Sequence, residues 1–223
     1  MDPDVTHFPR WTNGLRAAGA VAVLSGGAYA TAIVLFGFSP YALDVGYQPV
    51  QPVPYSHALH AGELGMDCRY CHTTVDKGAK AGIPPLETCM GCHAAIRSDS
   101  EKLKPLREAY DTGQPLRWVR VHDLPDYVYF DHSAHVNRGV GCVSCHGRID
   151  QMEVVYQQEP LSMNWCLDCH REPNKNVRPL DKITAMDFVP DEWKKDATQA
   201  EMGDELVKQH NLKPSTDCST CHR

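Results

Sequence analysis

The sequence predicts short α-helices and irregular loops behind one N-terminal transmembrane helix, and three observations predict it. All ten cysteines fall in five Cys-x-x-Cys-His motifs: Cys68–Cys71–His72, Cys89–Cys92–His93, Cys142–Cys145–His146, Cys166–Cys169–His170 and Cys218–Cys221–His222. Residues 17–38 carry no charged side chain. Hydrophobic residues make up 42% of the 223, with five Phe against sixteen Pro and sixteen Gly, too little apolar mass for an ordinary core.

In Cys-x-x-Cys-His the two thiols add across the vinyl groups of a haem and the adjacent histidine binds the iron. Zinc would need the cysteine pairs to combine into four-ligand sites, and five pairs do not divide evenly. A disulfide framework would not place His after every second Cys. The motifs therefore predict a pentahaem c-type cytochrome with five covalently attached haem c. Cys68, Cys71, Cys89, Cys92, Cys142, Cys145, Cys166, Cys169, Cys218 and Cys221 form the thioethers. His72, His93, His146, His170 and His222 are the proximal ligands. The fold class is multihaem cytochrome c: mainly short α-helices and irregular loops around stacked haems. The porphyrins supply the missing apolar mass and the thioethers staple the chain to them. The formal net charge of −6 shows no basic patch of the kind nucleic acid requires.

Along the chain, residues 1–14 form a cytoplasmic N-terminus and 15–38 a transmembrane anchor. The twenty-two uncharged residues reach roughly 33 Å, enough for a bilayer core of about 30 Å. Arg10 and Arg16 precede the span, and no Lys or Arg follows until Arg69. The positive-inside rule then places the haem domain on the periplasmic, extracytoplasmic side of the cytoplasmic membrane as a single-pass protein. Ala28-Tyr29-Ala30 could serve as a signal cleavage site, but the apolar run continues to Phe38, too long for a signal core. An uncleaved anchor is expected. Ala18, Ala22, Gly26 and Ala30 form a small-residue stripe that permits close helix packing. Residues 39–56 carry Pro40, Pro49, Pro52 and Pro54 and read as a stiff, extended linker. The pentahaem domain is 57–223.

That domain contains a repeat. Tyr55-Ser-His57-Ala-Leu-His60 precedes the first motif, and Phe130-Asp-His132-Ser-Ala-His135 the third. Each block runs on through two motifs, giving two-haem modules 55–93 and 130–170, with the fifth haem in 198–223. Histidines at i and i+3 of a helical turn share a face but diverge by about 60°, so each can point at a different iron. His57, His60, His132 and His135 are thus the expected distal ligands. The blocks resemble the segment before the first haem in small class III multihaem cytochromes. That resemblance implies His57 for haem 1, His132 for haem 3, and His60 and His135 for haems 2 and 4 or 5.

A fifth distal ligand is sought among His7, His122, His210 and Met163. His7 precedes the span, on the wrong side. His122 lies in Trp118–Pro125, whose alternation reads as a short extended segment. His210 closes a helix expected over Glu201–Asn211, begun by a Thr198-x-x-Glu201 capping box, and there caps carbonyls. Met163 stands three residues before Cys166, where Met/His ligation would raise that haem's potential. Met163 and His122 are both favoured over His210. If Met163 takes haem 4, His135 is released for haem 5 and His122 hydrogen-bonds a propionate.

The whole pattern resembles the pentahaem cytochrome c subunit of Alternative Complex III, a bacterial membrane quinol oxidoreductase. The resemblance is carried by Glu87–His93, Val119–Pro125, Met163–His170 and Asp217–Arg223 together with the anchor and the two modules. It implies as partners an iron–sulfur subunit, multi-span quinol-binding subunits and a monohaem cytochrome c. Electrons would leave toward a soluble carrier or a terminal oxidase. The expected function is an electron-transfer subunit with no catalytic residues. The alternatives are a stand-alone quinol dehydrogenase of the NapC/NrfH kind and a catalytic multihaem reductase. The reductase would need an open iron, and none of the five motifs departs from Cys-x-x-Cys-His.

Overall fold

The computed structural model describes residues 8–222; His7 lies outside them. The chain forms two compact units, Met1–Asp44 and Val45–Arg223.

In the first unit, α1 (Gly14–Ala32) is preceded by a 3-10 turn, Arg10–Asn13, and followed by a π-helical turn, Ile33–Gly37. The result is one continuous helix, Arg10–Gly37, 28 residues long, whose most apolar 18-residue window has mean hydropathy 1.8. It starts earlier than the expected span because Pro9 sets a helix-entry φ of −54° and Thr12 Oγ1 donates to its carbonyl at 2.7 Å. Ser25, in the middle of the helix, donates its hydroxyl back to Val21 O at 2.7 Å, so that hydrogen is satisfied within the helix.

The second unit is built from short helices. These are α2 (Cys68–Cys71), α3 (Leu86–His93), α4 (Lys104–Thr112), α5 (His132–Val136), α6 (Val143–His146), α7 (Met163–Arg171), α8 (Gln199–Gln209) and α9 (Cys218–Cys221). No strand occurs among the described residues; one isolated bridge joins Val140 and Val177. Residues 118–122 thus form no strand, because Val119 pairs instead with a side chain. Gln51 accepts from its N–H at 2.9 Å and donates to its carbonyl at 2.8 Å. The second half of the proline-rich linker is laid along this unit in the same way. Gly46 N–H donates to Gln157 O at 2.8 Å and Gln48 Nε2 to Val154 O at 2.9 Å.

The capping box forms as expected, with Thr198 Oγ1 accepting from Glu201 N–H at 3.3 Å and Glu201 Oε2 from Thr198 N–H at 2.9 Å. Thr198 is therefore the N-cap and α8 runs over Gln199–Gln209, two residues earlier than Glu201–Asn211.

Apolar packing is local. One cluster holds Val177, Phe188, Met202 and Leu206; another holds Val75, Val136 and Ile183 beside Cys142. α8 lies so close to the turn Pro173–Lys175 that a Cβ on Gly203 would overlap the Asn174 carbonyl, so only glycine fits there. Met202 is fully buried. Met202→Ala is expected to cost about 2–5 kcal/mol, a fall of roughly 4–20 °C in the thermal midpoint. Differential scanning calorimetry would measure this fall, with the visible spectrum unchanged below the transition.

Candidate functional site

Each Cys-x-x-Cys-His motif lies on a helical turn: α2, α3, α6 with Cys142 as its N-cap, α7 and α9. A helical turn puts residues i and i+3 on one face, which suits two thiols bonding one macrocycle. Side-chain caps start two of these turns, α2 and α7. Asp67 accepts from Arg69 N–H at 2.8 Å, and Ser162 Oγ from Trp165 N–H at 3.3 Å. All ten cysteines are free of disulfides.

The two aromatic-x-His-x-x-His segments have matching local geometry. Tyr55 meets His57 edge-on at 4.8 Å and stacks on His60 at 4.4 Å; Phe130 meets His132 edge-on at 4.8 Å and stacks on His135 at 4.6 Å. In both, the second histidine donates from Nδ1 to the carbonyl four residues back: His60 to Ser56 O at 2.8 Å, His135 to Asp131 O at 2.7 Å. Asp131 caps α5, accepting from Ser133 N–H at 2.8 Å and Ala134 N–H at 3.3 Å. In the first module the corresponding turn is π-helical, Ala58–Glu63, with His57 as its N-cap.

The two modules interlock. α5 leans on the loop after the first motif, with His132 N–H donating to Ala79 O and Ser133 N–H to Gly78 O, both at 3.2 Å. Reciprocally, the first histidine turn leans on the segment after the third motif. Ala58 N–H donates to Met152 O at 3.0 Å, and a Cβ on Gly62 would overlap the Asp150 carbonyl.

Imidazole rings face one another in pairs. Centroids are 6.2 Å apart for His60 and His93, 6.4 Å for His132 and His146, and 6.1 Å for His135 and His170. Their interplanar angles are 65°, 5° and 46°. Two imidazoles on opposite sides of one metal have centroids about 6 Å apart, from metal–nitrogen bonds of about 2.0 Å and nitrogens about 1.1 Å from each ring centre. His57 lies beside His72: burial first, then the neighbouring His72 and His60, push its imidazole down to about 4. Its Nδ1 is buried without a partner.

Proton placement matches metal binding. Seven histidines direct Nδ1 at a backbone carbonyl: His60, His72 (Gly82 O, 2.7 Å), His93 (Ile96 O, 3.0 Å), His132 (Ala79 O, 2.8 Å), His135, His170 (Ser215 O, 2.6 Å) and His222 (Tyr127 O, 3.2 Å). A carbonyl only accepts, so Nδ1 holds the proton and Nε2 keeps the lone pair a metal needs. The donor set therefore fits haem iron.

His146 differs. Its Nδ1 lies 3.4 Å from His122 Nε2, and the rings meet edge-on with centroids 4.4 Å apart. That is too close for a shared metal. Burial, reinforced by His122, His132, His72 and His57, pushes His146 down to about 3, so it is neutral. Met163 opens α7 and is 66% exposed. His210 is the C-cap of α8, its N–H donating to Leu206 O at 2.9 Å.

Neighbouring thiols trace the order of the motifs in space. Burial, with Cys71 nearby, pushes Cys89 up. A hydrogen bond with Cys142 holds Cys68 above the ordinary thiol value. Burial beside Cys169 and Cys166 pushes Cys145 up to about 12, and burial with Cys221 nearby raises Cys166. His170 bonds Ser215, three residues before Cys218, and Tyr129 N–H donates to Cys221 O at 2.8 Å. These neighbours join the second motif to the first, the first to the third, the third to the fourth and the fourth to the fifth.

Residues 128–223 match the family model described as cytochrome c7 and related cytochrome c. The matched residues hold the third, fourth and fifth Cys-x-x-Cys-His motifs, and the described residues fold as helices and loops without a strand. The Cys-x-x-Cys-His pairs imply covalent c-type haem. The chain is also 32% identical over 114 residues to the multiheme cytochrome c subunit of menaquinone reductase from Nitratidesulfovibrio vulgaris (strain Hildenborough). That match covers 51% of this chain and 53% of the relative, so the chain spans about half the length of the curated relative it matches.

Proposed function

We propose that the chain is the electron-transfer subunit of a membrane quinol oxidoreductase, relaying electrons through five covalently bound haems. The carrying observation is the facing of imidazole pairs at the spacing of two ligands on one iron. Each haem, when bound, supplies a reversible one-electron iron couple.

The residues do the rest. His57 and His72 would hold haem 1, His60 and His93 haem 2, His132 and His146 haem 3, and His135 and His170 haem 4. His135 opposite His170 favours bis-His ligation there, which would leave Met163 as the candidate distal ligand for haem 5. Two protein ligands on each iron exclude substrate, which favours a relay over a catalytic reductase. The motif order makes the second and fifth sites the ends of the wire. The interlock of histidine turns ties the first site to the third, so the modules conduct as one path.

The anchor helix holds the domain at the membrane on the extracytoplasmic side. The menaquinone reductase relative supports a quinol as electron source. The resemblance to the Alternative Complex III subunit supports an iron–sulfur subunit, multi-span quinol-binding subunits and a monohaem cytochrome c as neighbours.

Pyridine haemochrome quantitation of the purified subunit is expected to give five haem c per chain, and the reduced protein is expected not to bind carbon monoxide. Carbon monoxide binding by the untreated protein would instead establish an open, catalytic iron. A subunit that alone oxidises menaquinol at a substantial rate would replace the complex with a stand-alone dehydrogenase.

A further inference from the structure

We infer that His122 is a positioning residue for the third haem site: it accepts the Nδ1–H of His146 and fixes the rotation of that ring. This rests on the proposed reading of His146 as an iron ligand through Nε2.

Seven other histidines give Nδ1–H to a backbone carbonyl. At His146 the acceptor is instead an imidazole nitrogen. The reason is local. α6 ends at His146, and Gly147 follows at φ +65°, turning the backbone away. A buried N–H left without an acceptor is costly, so a side chain must come in from elsewhere.

His122 is brought there on a segment pinned at Val119 and closed locally by an ion pair that spans it. Gln51 brackets Val119 with two hydrogen bonds, and Arg120 Nη1 pairs with Asp123 at 2.6 Å. The side chain is not a competing ligand, because its ring meets His146 edge-on at 4.4 Å, from behind.

Two consequences follow from the chemistry. An imidazole nitrogen is a more basic acceptor than an amide oxygen, so it draws on the Nδ1–H more strongly and raises the donor strength of Nε2. A stronger donor favours ferric iron and lowers the potential. The edge-on contact at 83° also blocks rotation of the His146 ring, which lies within 5° of parallel to His132. The other two measured pairs are crossed at 65° and 46°. Parallel imidazole planes give a rhombic low-spin signal, and crossed planes give a signal at larger g, so this site has its own spectroscopic marker.

The test is a redox titration of the full-length holoprotein followed by EPR, comparing wild type with His122→Leu and His122→Gln. In His122→Leu the rhombic species is expected to move to larger g. Its ferric-to-ferrous balance should shift at least tenfold toward ferrous, about 59 mV for one electron. His122→Gln, whose amide oxygen can accept the same proton, should recover most of the shift, and the remaining haems should be unmoved. Should the leucine variant fail to assemble, His122→Asn, with an amide too short to reach, takes its place. If the acceptor-free variant has wild-type potentials and g-values, the inference fails while the ligand reading stands. If it turns high-spin, His122 is itself a ligand and the positioning role is wrong. If His132→Ala leaves every haem low-spin, the underlying reading fails instead.

Discussion

Replacing His135 with alanine is expected to convert one of the five proposed low-spin haems to a high-spin form that binds carbon monoxide when reduced. The ring of His135 stands 6.1 Å from that of His170, the separation of two imidazoles across one iron. It is held there by the Phe130 stack at 4.6 Å and by its Nδ1–H on Asp131 O at 2.7 Å. Removal leaves His170 alone on its side, with its Nδ1–H still fixed on Ser215 O. The potential of that haem should rise by on the order of 100 mV, a fraction of the roughly 0.8 V range that axial ligands command. His135→Met should keep the iron low-spin and raise its potential, since thioether favours ferrous iron. Met163→Leu should act on a different haem, the fifth, and the two changes should add in a double variant. Optical titration and low-temperature EPR separate the cases. If His135→Ala stays low-spin and Met163→Leu alone opens that site, then Met163 is the fourth haem's ligand and His135 belongs elsewhere. His210→Ala should leave every spectrum as in wild type, because His210 only closes α8.

The contrast between His135 and His122 shows what a one-dimensional pattern carries. Cys-x-x-Cys-His is covalent chemistry confined to five consecutive residues, so it reads directly. The His-x-x-His pair is one helical turn, and its repetition 75 residues apart, His57 to His132, implies repeated geometry. The structure returns that geometry with the aromatic contacts matched to within 0.2 Å. The capping box located the start of α8 for the same reason, its two hydrogen bonds being local. What did not read was anything decided by a partner far along the chain. The alternation at Trp118–His122 looked extended, but its acceptor and donor are the side chain of Gln51, 68 residues away, so no strand forms. His122 read as either a distal ligand or a propionate partner; in the structure its ring lies against a histidine 24 residues on, a pairing that only the tertiary fold selects. The one legible cue was arithmetic, since twelve histidines exceed what five irons require. The linker prolines predicted an extended path but not its docking on Val154 and Gln157, which depends on backbone groups with no side-chain signature.

Exchanging residues 1–38 for a cleavable export signal is expected to release the haem domain as a water-soluble protein. Val45–Arg223 is a compact unit with its own clusters around Met202 and Ile183. Its haem stoichiometry and potentials should therefore match those of the parent. The native chain should instead require detergent, because Arg10–Gly37 offers 28 helical residues, about 42 Å at 1.5 Å each, against a hydrocarbon core of about 30 Å. That helix has no buried residue within its own unit, so its Val, Leu, Ile and Phe side chains find apolar surroundings only in lipid or against partner helices. The stripe Ala18, Ala22, Gly26 and Ala30 suits the second kind of contact, and Gly26→Leu should loosen co-purification with multi-span subunits without detaching the chain from the membrane. Membrane fractionation and intact mass distinguish the outcomes. A mature chain that keeps Arg10 through Phe38 and pellets with membranes is the expected result. A mature chain starting at Thr31, after the Ala28-Tyr29-Ala30 sequence, would make the helix a discarded export signal and leave partner subunits alone to hold the cytochrome at the membrane.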